Sequence, residues 1–265
     1  MYISIDMGGT NTRIGSSRNL RGFVAIRRFS TNQDVTIQRA KLVDSIDFVQ
    51  LDEKISALVI GVPGQFDNDT STFTKIPNID KLNTKNFSEL LGEGKNLFVE
   101  NDAVLAGLGE ASYGAGRTHT RFGYITLGTG VGGCLIETTG GAHGFTRKEP
   151  GHDIILENGK SFEKNLGGKY FAENYGVSAE RCIDGAVWQK YSDLLFEGLK
   201  RVSKDWDVDT FVIGGNISKK FDSFAPQIEN ANDRLTLERC QLLDNSGIYG
   251  GLVYLRGVKG FESVA

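Results

Sequence analysis

Cysteine, proline and histidine are all scarce in this chain: three, four and three residues respectively out of 265. Cys134, Cys182 and Cys240 are odd in number and far apart, which excludes a disulfide framework and any CxxC-type zinc site and fits a reducing compartment. His119, His143 and His152 have no helical i,i+4 pairing, so they do not read as a metal-ligand pair on a helix. No apolar run reaches the roughly 18 residues of a membrane span, and the N-terminus enters a strand directly instead of a signal peptide. There is no excess of positive charge either. The net charge of −3 and pI near 5.7 imply no basic face and argue against a nucleic-acid partner. These absences predict a cytoplasmic protein of one or two domains.

Glycine is what the chain has in abundance, 34 residues, close to twice the usual share. With so little proline, that excess points to tight functional turns. Tyr2 to Asp6 reads as a strand, Met7-Gly8-Gly9-Thr10-Asn11-Thr12 as a turn, and Arg13-Ile14-Gly15 as the returning strand. Gly8, Gly9 and Thr10 offer backbone and hydroxyl donors to phosphoryl oxygens, and Asp6 is suited to Mg²⁺, directly or through water. A plain glycine hairpin with a turn aspartate fits the same residues. Gly22 to Phe29 completes a three-strand meander, 34–51 predicts an amphipathic helix, and 56–62 predicts a buried strand ending in Pro63-Gly64.

The central stretch runs from Phe98 to Ile136. A short strand ends in Glu100-Asn101-Asp102, and Ala103 to Ala111 has helical apolar spacing, so Asp102 is expected at a strand-to-helix turn, where a carboxylate can take a proton. Thr126 to Gly133 is a second glycine turn, with Gly128, Thr129 and Gly130 as phosphate-grade donors. Asn78 can donate and accept toward a sugar hydroxyl, and Glu149 and His152 can converge on neighbouring hydroxyls; surface turns are the alternative for both. Further helices are expected at 83–91, 162–175, 179–204 and 247–255. Strands are expected at 209–213 and 235–237, and Gly214-Gly215 is a place for an adenine ring to lie on the backbone.

Taken in order, DMGGTNTR at 6–13, GVPGQFD at 61–67, PN at 77–78, ENDA at 100–103, LGTGVGG at 127–133, EPGH at 149–152 and IGGNIS at 213–218 resemble the signatures of the ROK family of sugar kinases and regulators over almost the whole chain. The resemblance implies an α/β, actin-like (ribonuclease H-like) ATPase fold of two lobes, residues 1–113 with 247–265 and residues 114–246, with ATP and sugar meeting in a central cleft. It implies Asp102 as catalytic base and Asn78, Asn101, Glu149, His152 and Glu163 as sugar contacts. Asp6, Gly8, Gly9, Thr10, Asn11, Arg13, Gly128, Thr129, Gly130, Gly214 and Gly215 would then serve nucleotide, phosphate and Mg²⁺.

The implied activity is ATP-dependent phosphorylation of a hexose, most simply at the 6-hydroxyl. Related acceptors such as fructose or an N-acetyl-hexosamine, or sugar binding without catalysis, are the alternatives. The family resemblance also suggests a homodimer. Only five residues precede Asp6, which argues against the DNA-binding segment of a regulator, and no Lys/Arg track for a polyphosphate donor stands out. Two departures from the pattern are visible. The segment DIILENGKSF at 153–162 stands where the family has a cysteine-rich zinc loop, so zinc is not expected, and Pro150 occupies a place in ExGH where proline is unusual.

Overall fold

The structure is a computed structural model that describes residues 1–76, 79–91, 96–231 and 234–261. The chain divides into two compact units, residues 1–109 with 245–265, and residues 110–244.

In the first unit, β1 (Tyr2–Met7), β2 (Asn11–Ser17) and β3 (Ala25–Ser30) form the expected meander, and β4 (Ala57–Val62) and β7 (Leu97–Asn101) extend it in parallel. The sheet order is β3-β2-β1-β4-β7. Ile3, Ile5, Ile14, Val59 and Ile60 have no exposed surface, the signature of central strands covered on both faces. Helix α1 (Val35–Gln50) supplies the crossover to β4 and starts at Asp34, whose carboxylate accepts the N–H groups of Thr36 and Ile37. The antiparallel strands β5 (Gln65–Asp67) and β6 (Thr72–Lys75) form a separate ribbon, which the sequence pattern did not suggest.

The expected helix at 83–91 forms only as α2 (Phe87–Leu91). The Asn83 side chain caps the Ile76 N–H at 2.7 Å, and Thr84, at φ 68°, donates to Phe73 at 2.7 Å. Residues 83–85 are thereby tied to β6 and cannot join a helix. Helix α3 (Asp102–Tyr113) follows β7 without a linker, and α9 (Ser246–Val253) completes the unit.

The second unit repeats the plan. Strands β8 (Arg121–Leu127), β9 (Val131–Thr139) and β10 (Ala142–Lys148) form a meander, and β11 (Thr210–Gly214) and β12 (Thr236–Arg239) continue in parallel, in the order β10-β9-β8-β11-β12. This duplication is the ribonuclease H-like sheet twice over, where the sequence showed only a recurring glycine turn. The Gly140–Gly144 stretch is the turn and start of β10. Gly140 and Gly141 have φ of 58° and 83°, the conformation a two-residue hairpin loop needs.

The helix expected at 162–175 is two: α5 (Phe162–Leu166) and α6 (Gly168–Tyr175), broken at Gly167 with ψ 159°. The helix expected from 179 begins only at α7 (Gly185–Trp206), after the Asp184 cap, and buries Trp188, Tyr191, Leu195 and Leu199. Short helices α4 (Pro150–Asp153) and α8 (Ala225–Ala231) complete the set among the described residues. None of the described helices is long and apolar enough to cross a membrane.

Candidate active site

In the first unit the predicted residues gather at the C-terminal ends of β1, β4 and β7. Register aligns Asp6 with Gly61 and Gly61 with Glu100, so Asp6 and Glu100 are roughly 10 Å apart across two strand spacings, and Asn101 and Asp102 follow directly. Gly61 allows this: a Cβ there would lie 3.0 Å from Leu105 Cδ1 and 3.3 Å from Asp102 Cα, so α3 starts hard against β4. Asn101 Oδ1 accepts the N–H groups of Ala103 and Val104 at 2.9 and 3.3 Å. Its oxygen is therefore a helix cap, and its amide N–H groups remain the donors toward a ligand.

Asp102 is the first residue of α3, with Oδ1 2.9 Å from the Ala103 N–H. The residue keeps some accessible surface, yet enough protein surrounds its carboxyl that burial raises its pKa to about 6, against the lowering effect of backbone hydrogen bonds. A helix N-terminus alone would have lowered it. The sequence therefore anticipated the place of this carboxylate but not the direction of its shift. At neutral pH it is still mostly ionised.

The Gly8–Asn11 turn precedes β2. The Gly8 N–H donates to the Asn11 carbonyl at 3.0 Å, so it is engaged within the turn and is not the phosphate donor expected of it; Gly9 and the exposed Thr10 retain that capacity. Arg13 is the cross-strand partner of Asp6 and also of Arg28. Asn78 lies outside the described residues.

In the second unit three separate motifs meet. Gly168 donates to the Gly128 carbonyl at 2.7 Å, and a Cβ on Gly167 would lie 3.0 Å from the Thr129 carbonyl. Contact with the glycine turn thus accounts for the break between α5 and α6. Glu163 Oε2 accepts the Val131 N–H at 3.0 Å and occupies the space a Cβ on Gly130 would need. One oxygen of this predicted sugar contact therefore holds the turn in shape. On its other side a Cβ on Gly151 would fall 2.2 Å from the Val131 carbonyl, which brings the Glu149–His152 segment onto the same turn. Pro150 sits at the first helical position of α4, where no N–H is required, so the unusual proline costs the turn nothing. Glu149 is half-buried and His152 exposed.

The glycine pair at the end of β11 has a packing role beside the one expected of it. The space beside Gly214 is filled by the Tyr124 hydroxyl and that beside Gly215, at φ 81°, by the Leu127 backbone. Glycine is needed there for β11 to approach β8. A small cavity at this point is lined by Gly215, Ser218, Lys219, Leu243 and Asp244; Gly215 and Ser218 belong to the IGGNIS motif and the other three to none. Lys219 and Asp244 arrive from segments 25 residues apart in sequence, which is why no motif marked them.

The segment 154–161 folds back on itself, with Leu156 donating to Lys160 and Phe162 to Ile154. Its hub is Asn165, 2% exposed. Asn165 Oδ1 accepts from Asn158 Nδ2 at 2.7 Å, and its Nδ2 donates to the carbonyls of Ser161 and Lys160 at 3.0 and 3.3 Å. Arg201, paired with Glu197 at 2.8 Å, also donates to the Ile155 carbonyl. Replacing Asn165 by Ala removes these bonds and is expected to cost about 2 kcal/mol. Thermal unfolding should show a fall of several degrees, and an unchanged midpoint would remove Asn165 from this role.

Residues 2–241 match the profile of the ROK family. The chain belongs to the ROK family. This ROK protein is 24% identical to an uncharacterized protein of Clostridium perfringens over 98% of its own length and 96% of the relative's. It is 29% identical to a glucokinase of Thermotoga maritima over 74% of its length and 63% of the relative's. Among solved structures, a ROK family glucokinase from Streptomyces griseus in complex with glucose and AMPPNP superimposes with a TM-score of 0.77 at 20% identity, over 95% of this chain and 97% of that one. An inorganic polyphosphate/ATP-glucomannokinase from Arthrobacter gives 0.76 at 25% identity, over 96% and 97%. The actin-like ATPase fold of the ROK protein is thereby shown.

Proposed function

We propose that this ROK protein is an ATP-dependent hexose kinase that transfers the γ-phosphoryl group of ATP to a sugar hydroxyl, most simply the 6-hydroxyl of glucose. The observation that carries this reading is Asp102, a carboxylate with a pKa of about 6 at the head of α3, two strands from the Asp6–Thr10 turn. Relatives named glucokinase support it. In the reaction the acceptor oxygen bonds to the γ-phosphorus as the bond to the β–γ bridging oxygen breaks. ADP leaves, and Asp102 orients the hydroxyl and takes its proton late. In the first unit Asn101 serves as a partner for a further hydroxyl and the Gly9–Asn11 backbone for phosphate oxygens; in the second unit Glu149, His152 and Glu163 serve for hydroxyls and the Gly128–Gly130 backbone for phosphate. The surface at Gly215, Ser218, Lys219 and Asp244 is the side on which the nucleoside would lie.

Asp6, next to last in β1, has its carboxyl group against Gly247. Among the described residues no cluster of three or more His, Cys, Asp or Glu forms a dedicated metal site. A single carboxylate fits Mg²⁺, which keeps most of its waters and takes its other ligands from phosphate. When bound, the ion neutralises charge on the phosphates.

A panel of glucose, mannose, fructose and N-acetylated amino sugars with ATP and Mg²⁺, read by ADP release, tests the assignment. A parallel arm with polyphosphate, read by sugar phosphate formed, addresses the donor used by the Arthrobacter enzyme. Sugar binding without phosphorylation in every arm would reduce the protein to a sugar-binding role.

A further inference from the structure

Behind the first glycine turn lies a line of polar side chains of which the sequence motifs include only Thr12. Thr12 and Gln38 have no exposed surface. The Asn32 N–H donates to Gln38 Oε1 at 2.9 Å, and Gln38 Nε2 is 3.1 Å from Thr12 Oγ1. Thr12 Oγ1 is 2.8 Å from Thr31 Oγ1, which is 2.7 Å from the Gly8 carbonyl. The sense of the line follows from donor counting. A carbonyl only accepts, so the single Thr31 hydroxyl proton goes to Gly8. The Thr12 hydroxyl must then donate to Thr31, and it receives a proton from the Gln38 amide. Every bond in the line has one direction, set by the backbone N–H at one end and the backbone carbonyl at the other.

Thr31 also acts through its main chain, its N–H donating to the Thr10 carbonyl at 3.0 Å. Two carbonyls of the turn, Gly8 and Thr10, are thus drawn to one residue of the β3–α1 junction. In a trans peptide the C=O and the following N–H point opposite ways, and no described peptide is cis. The N–H groups of Gly9 and Asn11 are therefore turned away from Thr31. Glycine at position 9 would otherwise let its peptide rotate at little cost.

We propose that Thr31, held in sense by Thr12 and Gln38, is a positioning residue that aims the Gly9 and Asn11 N–H groups at a phosphate oxygen of the donor nucleotide. This rests on the kinase reading above and deepens it. Thr31 touches no ligand itself; its hydroxyl fixes which way the donors face before the nucleotide arrives, so no reorganisation is needed on binding.

The test uses the full chain with Thr31→Val, which keeps shape and loses the hydroxyl, Thr31→Ser, which keeps the hydroxyl, and Gln38→Glu, nearly isosteric but without the amide donor. Thr31→Val is expected to lower kcat/KM for ATP by about tenfold or more with the KM for sugar within about twofold of the parent. Thr31→Ser should recover most of the loss, and Gln38→Glu should lose as Thr31→Val does. Equal losses toward ATP and sugar, or no recovery by serine, would overturn the proposal.

Amide chemical shifts make a readout independent of turnover. Titrating the labelled parent with ATP and Mg²⁺ in the absence of sugar should move the Gly9 and Asn11 resonances, and Thr31→Val should blunt both shifts. If the parent phosphorylates no sugar, the kinase reading falls while these shifts still decide the orientation. If it turns over and Thr31→Val is indistinguishable from it in kinetics and shifts, the orientation proposal alone falls.

Discussion

Asp102→Asn is expected to reduce turnover by about two orders of magnitude or more while leaving sugar affinity nearly unchanged. The asparagine keeps the oxygen that accepts the Ala103 N–H, so the head of α3 is preserved and only the proton acceptor is lost. Calorimetry of sugar binding together with a coupled ADP assay measures both halves; near-normal turnover would remove Asp102 from the role. On the kinase reading the parent protein should show kcat/KM rising as pH increases through about 6, because the carboxylate must be ionised to accept the proton.

Stability carries the opposite sign. The folded-state pKa lies above the ordinary 3.8, so between those values the native state holds more protons than the unfolded chain, and stability falls as pH rises from about 4 to about 6. The difference is at most about 3 kcal/mol, reduced because part of the residue faces water. Asp102→Asn escapes it, so the variant should be the more stable protein at pH 7 and gain nothing below pH 4. Thermal melts at the two pH values would contradict this if the gap were the same in both.

The second large effect is expected at Gly250→Ala. In an ordinary helix the change would stabilise by up to about 1 kcal/mol. Here a Cβ on Gly250 would fall 1.5 Å from the Leu105 carbonyl oxygen, and one on Gly109 would fall 2.2 Å from the Ser246 carbonyl oxygen. The backbones of α3 and α9 are in contact across this glycine pair, and no side chain can rotate away to make room. The helices must separate, which costs about 3 kcal/mol or more and moves the helix that carries Asp102. A fall of roughly 10 °C in the unfolding midpoint, with lost turnover in whatever remains folded, is the expected outcome. Gly185→Ala, at the start of α7 with nothing within 4 Å, serves as the control and should be neutral or slightly stabilising. Equal effects at the two positions would show that helix propensity and not the crossing governs Gly250.

Much of the fold could be read from short-range pattern. The strand pattern around Ile3 and Ile5, the apolar runs at 57–62 and 97–99, and the spacing of Val187, Tyr191, Leu195 and Leu199 marked their elements within a few residues, because burial of one face imposes a period that a single sequence displays. The misses share a cause. Residues 83–85, the break at Gly167 and the β10 strand all depend on partners distant in sequence or on backbone contacts that leave no periodic trace.

The sequence by itself determined which groups could do the chemistry: a carboxylate at a strand-to-helix turn, glycine turns at strand ends, and the ordered motifs that make this a ROK protein. Tertiary structure decided what each group is free to do. Burial raised the pKa of Asp102, helix capping occupied the Asn101 oxygen, and the Gly130 turn took one oxygen of Glu163. Tyr124 and Leu127 filled the space beside Gly214 and Gly215, and the Thr31 hydroxyl engaged the Gly8 carbonyl. Hydrogen-bond direction, desolvation and close contact are properties of neighbours in space, and the chain order does not record them.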